Sequence, residues 1–170
     1  HYSEMLSPEA LPSPRYLEIF RSACEANRSQ MARDCLTLAA LIAARRSGPI
    51  TLVSLVRAGT PVGVILKHLL NQVLGREAAH YSVSIVRDRG IDEVALRHIL
   101  AQGHAPGSIV FIDGWTGKGV ISRVLEEAVD GFNQRHGTAI DKGLYVLSDL
   151  AGTAACAASS ADYLIPSSIL

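Results

Sequence analysis

Apolar positions along the chain follow two rhythms. Short continuous runs, such as Ile50-Thr51-Leu52-Val53-Ser54-Leu55-Val56, read as strands covered on both faces. Between them, apolar residues recur every three or four positions, as on a helix that buries one side. Pro8, Pro12 and Pro14 make residues 1–14 an irregular lead-in, and Pro14 suits the first turn of a helix over about 15–27. A second helix is expected over 29–46, stopped by Ser47-Gly48-Pro49. Strands then follow at about 50–56, 81–86, 108–113, 144–147 and 163–165, with helices at about 61–74, 92–101 and 120–135 between the first four. Regular alternation of strand and helix implies βαβ units with right-handed crossovers. The expected fold is a three-layer α/β/α sandwich on about five mainly parallel strands, Rossmann-like in outline.

Composition narrows the class. The 170 residues suit one domain, with 48% hydrophobic and 19% charged positions, as in a packed globular protein. Sixteen basic residues balance sixteen acidic ones, so no net field gathers nucleic acid or a membrane surface. No apolar run approaches the ~20 residues of a membrane span, and no signal pattern opens the chain. Cys24, Cys35 and Cys156 form no metal-ligand spacing and suit free thiols in a reducing cytoplasm. A start at His1 and an end on Ser-Ser-Ile-Leu suggest a piece of a longer protein.

The chemistry collects after the strands. Four runs end in glycine-containing polar turns: Arg57-Ala58-Gly59-Thr60, Arg87-Asp88-Arg89-Gly90, Asp113-Gly114-Trp115-Thr116-Gly117-Lys118-Gly119 and Ser148-Asp149-Leu150-Ala151-Gly152. Open parallel sheets bind ligands at the carboxyl ends of their strands. Cations and carboxylates there, with glycines and a helix start, suit a polyphosphate carried with Mg²⁺. The longest of these turns is neither a Walker A loop nor a dinucleotide fingerprint, because the required glycines are absent. Trp115 suits either a base-stacking platform or a cover for the core edge. His80 suits a structural hydrogen bond, and the other histidines lack ligand spacing.

An apolar strand ending in an acid, then a Thr-Gly turn opening a helix, resembles the phosphoribosyl-diphosphate signature of type I phosphoribosyltransferases. Nearly the whole chain resembles, more closely, the phosphoribosyltransferase-like family of bacterial tellurium-resistance and stress operons, a family also called the cysteine protease StiP. The segments that carry this are Tyr2-Ser3-Glu4-Met5-Leu6, Val53-Ser54-Leu55-Val56-Arg57-Ala58-Gly59-Thr60-Pro61, residues 80–92, residues 111–119 and residues 162–167.

The resemblance implies a site for phosphoribosyl diphosphate with Mg²⁺. Asp113 would meet the ribose, and Gly114, Trp115, Thr116, Gly117, Lys118 and Gly119 would hold the 5′-phosphate. Arg57, Ala58, Gly59 and Thr60 would take the diphosphate, with Arg87 and Arg89 steadying the leaving group from a mobile loop. Asp113, Arg57, Arg87 and Arg89 would be the catalytic set. Gly114 stands where the transferases carry a second acid, a role open to Asp88 or Asp149. Residues 15–46 would form a hood over the acceptor and 50–165 the α/β core.

Three functions compete: transfer of phosphoribosyl to a base-like acceptor (or its reverse), cysteine proteolysis through Cys156 with a base such as His80, and non-catalytic sensing of phosphoribosyl diphosphate or a nucleotide. The expected partners are small molecules, with a homodimer as a further expectation.

Overall fold

The computed structural model describes residues 11–86 and 89–165. Helix α1 spans Pro14–Arg45 without interruption, where the sequence suggested two helices. Its start has the expected chemistry: Ser13 accepts from the Tyr16 N–H and Pro14 occupies the first turn. The expected break near residue 28 is absent because no glycine or proline interrupts there. Asn27 spends its side-chain amide on the Ala23 carbonyl at 2.8 Å, one turn back, instead of capping a new helix. Only the second half of α1 is buried, through Asp34, Cys35, Leu38, Ala39 and Ile42.

The remaining elements are β1 (Ile50–Leu55), α2 (Gly59–His68, prolonged by a wider turn over Leu69–Val73), β2 (Ala78–Val83), β3 (Ile85–Val86), β4 (Gly90–Ile91), α3 (Glu93–Ala101), β5 (Ile109–Trp115), α4 (Val120–His136), β6 (Leu144–Ser148) and β7 (Cys156–Ser159). The main sheet has the order β2-β1-β5-β6-β7, with every pairing parallel. The second strand therefore begins and ends three residues earlier than expected. Ile85 and Val86 leave it to pair antiparallel with Ile91 and Gly90 in a small separate ribbon.

The fifth strand is also displaced. Residues 163–165 are not a strand, and Cys156–Ser159 takes the place beside β6. Instead the segment after β7 turns across the sheet edge. Ser148 Oγ donates to the Ala161 carbonyl at 2.6 Å, and buried Ile165 reaches Gly114 on β5.

Alternate residues of the strands feed two cores, as a doubly covered sheet requires. Leu52, Val110, Ile112, Tyr145 and Leu147 pack under α1 and α2. Val53, Leu55, Phe111, Leu144 and Val146 pack under α3 and α4. This arrangement fixes the ligand edge. After β1 the chain moves toward β2 through α2 on one face; after β5 it moves toward β6 through α4 on the other. The strand order thus reverses between β1 and β5, and their carboxyl ends flank the crevice where such sheets take ligands. No helix among the described residues is long and apolar enough to cross a membrane.

Candidate functional site

Two helices begin at that crevice, and both lack a side-chain cap. The α2 start is Ala58-Gly59, and the α4 start is Gly119, left-handed at φ 75°. Uncapped first-turn N–H groups and the helix dipole make both ends attractive to anions. Their closeness depends on glycine. A Cβ on Gly59 would lie 2.3 Å from the Ile112 carbonyl oxygen, so only glycine lets α2 start directly against β5. A Cβ on Gly119 would lie 2.8 Å from the Thr153 side chain, at a backbone angle that already favours glycine.

A cavity of ≈ 330 Å³ opens between them, lined by Ala58, Asp113, Trp115, Lys118 and the first turn of α4. Of the residues expected at the ribose and 5′-phosphate, Asp113, Trp115, Thr116, Gly117 and Lys118 line this cavity; of the diphosphate set, Ala58 lines it and Arg57, Gly59 and Thr60 do not. Asp113 is mostly buried on the strand end. Burial pushes its carboxyl up to about 6, opposed by a hydrogen bond from its neighbour Gly114 N–H at 2.7 Å. A strongly shifted acid in a cleft is a mark of functional sites. Lys118 is exposed at the cavity, and Arg57 is exposed just beyond β1. The Arg57 carbonyl accepts from Thr60 N–H at 3.2 Å, and the Thr60 hydroxyl bonds Ser82 Oγ at 3.0 Å.

Several expected roles change. Thr116 is buried, and its hydroxyl donates to Asp149 Oδ1 at 2.8 Å while accepting from Ala151 N–H at 3.1 Å. Thr116 lines the cavity, but its hydroxyl is engaged within the loop, so the turn offers chiefly backbone amides and Lys118. Asp149 accepts from Thr116 and from the Thr153 and Ala154 amides, both at 3.1 Å. Burial pushes its carboxyl up, but hydrogen bonds from Thr116, Ala154, Thr153 and Gly152 outweigh that and hold it below its ordinary value. Asp149 is thus the keystone of the 149–154 loop and does not replace the second acid. Arg89 lines a separate hollow against the flank of α4, with Glu93, Glu127 and Arg135, and is not part of the Asp113 cavity. Arg87 and Asp88 lie outside the described residues.

Gly114 explains the missing acid. A Cβ there would meet Ile165 Cγ2 at 3.3 Å and Ala58 Cβ at 3.7 Å. The position faces packed apolar atoms, so a carboxylate would be buried without a partner. Trp115 packs against the core edge, one of the two roles expected of it, and also lines the cavity.

The thiols lie elsewhere. Cys156 opens β7 opposite Tyr145, near the start of β6, which puts it at the amino edge of the sheet and not at the ligand edge. Burial pushes its thiol up, with Arg45 opposing. His80 is on β2, four strand steps of about 4.8 Å away, so ~19 Å separate the two across the sheet. His80 bonds Ser54 Oγ at 2.8 Å, and burial followed by the charge of Lys67 lowers its pKa. That is the structural role expected of it. Cys35 is buried on α1, where burial and the charge of Asp34 push its thiol up to about 11. A thiol raised in this way is a poor nucleophile. Cys24 and Cys35 share an apolar groove of ≈ 440 Å³ beside α1 and α2, which has no residue in common with the Asp113 cavity. Eleven helical positions put them ~16 Å apart, too far for a disulfide.

Two groups were not visible in the sequence as site residues. One is the segment 161–165, which runs over the sheet edge beside Trp115. The other is Asp34, whose only signal is a charge placed on the buried stripe of α1.

Solved structures similar to this one are phosphoribosyltransferases. The xanthine-guanine-hypoxanthine phosphoribosyltransferase of Helicobacter pylori matches with a TM-score of 0.51 and 16% identity, over 78% of this chain and 82% of that one. An asparagine mutant at an invariant aspartic acid of HPRTs matches with a TM-score of 0.50 and 10% identity, over 76% and 73%. At these identities the likeness shows the fold: α/β, of phosphoribosyltransferase type. Among sequences, the "Cysteine protease StiP" of Acinetobacter baylyi is 47% identical over 170 residues, all of this chain and 43% of that protein's length. The family model for the tellurite-like stress resistance cysteine protease StiP matches residues 1–170, and the chain belongs to that family.

Proposed function

We propose that this chain binds phosphoribosyl diphosphate and transfers its phosphoribosyl group to a nitrogen of a base-like acceptor, or catalyses the reverse cleavage. The observation that carries this is the convergence of two uncapped helix starts on a cavity whose strand-end carboxyl, Asp113, lies between them. In the transfer, the bond from the anomeric carbon to the diphosphate oxygen breaks and diphosphate leaves with the electron pair. The acceptor nitrogen forms the new bond and releases its proton to solvent. The protein contributes placement and charge compensation. Asp113 accepts from the ribose hydroxyls, the amides of Gly117, Lys118 and Val120 with the Lys118 ammonium hold the 5′-phosphate, and Arg57 with the α2 start faces the diphosphate; the Gly119 amide is spent on the Thr116 carbonyl at 2.9 Å.

Mg²⁺ fits as a passenger of the substrate. Among the described residues no group of three His, Cys, Asp or Glu side chains forms a cage. Asp113 is the carboxylate that lines the cavity, and a Mg²⁺ ion commonly takes one or two carboxylates plus phosphate oxygens. When bound, it would neutralise diphosphate charge. The setting proposed is the cytoplasm, within the stress response named by the family.

Calorimetric titration with phosphoribosyl diphosphate and Mg²⁺ tests this. Saturable binding is expected, weakened about tenfold or more by Asp113→Asn, since a hydrogen bond to a charged group contributes about 1.5–3 kcal/mol. No heat, or equal affinity in the variant, overturns it. Binding without turnover over a panel of bases would mark a sensor instead.

The relative's name brings a second reading, proteolysis. Burial of Cys35 and Cys156, and for Cys156 its distance from His80 across the sheet, speak against it. We expect iodoacetamide to modify these two far more slowly in the folded than in the urea-unfolded chain. Rapid labelling of Cys156 with loss of a measured peptidase activity would restore that reading.

A further inference from the structure

Asp34 has no role in the site described, yet it is a carboxylate only 4% exposed on the buried stripe of α1. Among the described residues its three bonded donors are all neutral. Gln30 Nε2 donates to Oδ1 at 2.9 Å; Tyr163 OH and Ser159 Oγ donate to Oδ2 at 2.7 and 3.1 Å. A buried charge without a cation is costly, and an apolar residue would suit the stripe. What the carboxylate achieves is a fixed position for Ser159 and Tyr163, the two anchors of the segment that crosses the sheet edge. Ser148 Oγ ties the same segment to β6 through the Ala161 carbonyl, and Asp149 N–H ties Ser159 at 2.9 Å.

Held in this way, residues 161–165 wall a second cavity of ≈ 280 Å³, completed by Trp115, Ser148 and Leu150. Trp115 also lines the Asp113 cavity, so the two hollows share this residue. Ser148 and Ala161 already satisfy each other, which leaves the exposed Asp162 as the charged group that lines the second hollow. An indole wall suits a flat ring. A carboxylate rim accepts N–H donors and repels anions.

Resting on the reading of the Asp113 site given above, we propose that Asp34 is a positioning residue: through Tyr163 and Ser159 it locks segment 161–165 as the wall of an acceptor cavity behind Trp115, and this cavity takes a planar, uncharged heteroaromatic ring with N–H donors toward Asp162. The hood over the acceptor is then this segment, with α1 acting from beneath it through Asp34.

Trp115 is the single tryptophan of the 170 residues, so its fluorescence reports on both hollows. The full chain is titrated with 2,6-diaminopurine, with xanthine and, separately, with Mg²⁺-diphosphate. Diaminopurine should quench saturably and bind about tenfold more tightly than xanthine. Tyr163→Phe and Asp34→Asn should weaken diaminopurine by about tenfold and leave the diphosphate isotherm in place. Asp162→Asn should abolish the preference over xanthine. Tyr163→Phe removes one hydroxyl and keeps the ring, so it tests the tie even where Asp34→Asn fails to fold. Unchanged diaminopurine affinity in Tyr163→Phe overturns the proposal, as does a parallel loss of both ligands, which marks Asp34 as structural only. Diphosphate binding with no response to either base sinks the acceptor cavity alone. Diaminopurine binding that depends on Tyr163, without diphosphate binding, supports the cavity and sinks the diphosphate reading.

Discussion

Asp113 lies near the carboxyl end of β5 and Asp149 directly follows the neighbouring β6, both at the ligand edge of one sheet, and their surroundings treat them in opposite ways. Asp149 is surrounded by donors: the Thr116 hydroxyl and the amides of Thr153 and Ala154 fix it within its loop. Among the described residues Asp113 has one donor, the amide of the next residue, and burial largely desolvates its carboxyl. One carboxylate is stabilised as an ion because the loop 149–154 needs an anchor. The other is kept short of partners. A ligand that brings hydroxyl donors, as a ribose does, would relieve this shortage. Spare polar capacity at the switch point between β1 and β5 thus distinguishes the acid proposed to bind ligand from the scaffold acid, where residue type and strand-end position do not.

The largest expected effect tests Asp113. Its carboxyl ionises near pH 6 in the fold instead of the ordinary 3.8. At 1.36 kcal/mol per unit, that displacement destabilises the ionised fold by about 3 kcal/mol. Below about pH 4 the acid is protonated in both folded and unfolded chains and contributes nothing. Stability is then lost as pH rises from about 4 to 6 and stays low above that. Asp113→Asn should therefore match the wild type in urea melts at pH 4 and be about 2–3 kcal/mol more stable at pH 7, while binding phosphoribosyl diphosphate less well. A variant less stable at pH 7 would mean that Asp113 is a scaffold acid like its neighbour.

Asp149→Ala reverses the sign. It leaves the Thr116 hydroxyl and two amides without an acceptor and should cost about 2–3 kcal/mol at pH 7. Because hydrogen bonds depress the Asp149 pKa, its contribution is complete above the ordinary carboxylate range and is lost as pH falls through the lowered value. The variant and the wild type should converge in acid. A stability unchanged at pH 7 would remove the contrast between the two acids.

These opposite roles also show what could be read from the chain. Both aspartates were visible as acids after apolar runs, and the alternation of strand and helix was enough to place them at one edge. Their partners were not visible, because the Thr116–Asp149 bond joins residues 33 apart and depends on how two turns meet. The same reason hid the edge-crossing segment. Tyr163-Leu164-Ile165 has the apolar character of a strand, but Asp34, more than 120 residues earlier, holds Tyr163 away from the sheet, and Cys156–Ser159 fills the vacant edge. Local pattern identified four of the five sheet strands and the helices between them; which late segment entered the sheet as the fifth was decided by distant tertiary bonds. In α1, by contrast, local pattern suggested a break that the continuous helix does not make, since a polar cluster without glycine or proline is tolerated on an exposed helical face.

The smallest expected effect concerns Gly114, where the transferases' second acid is missing. Its backbone is not in the left-handed region, so alanine carries no conformational penalty there. The added methyl would sit 3.3 Å from Ile165 Cγ2, which must give way by a few tenths of an ångström. Gly114→Ala should therefore cost no more than about 1 kcal/mol in urea melts and leave the Asp113 isotherm unchanged. Gly114→Asp starts from the same contact and adds a charge facing Ala58 and Ile165, so it should cost more without tightening phosphoribosyl diphosphate binding. If Gly114→Asp instead tightens binding, the position has access to the ribose, and the loss of the second acid is a matter of sequence and not of packing. If Gly114→Ala alone costs several kcal/mol, Ile165 cannot yield, and the edge-crossing segment is held as rigidly as its ties to Asp34 and Ser148 imply.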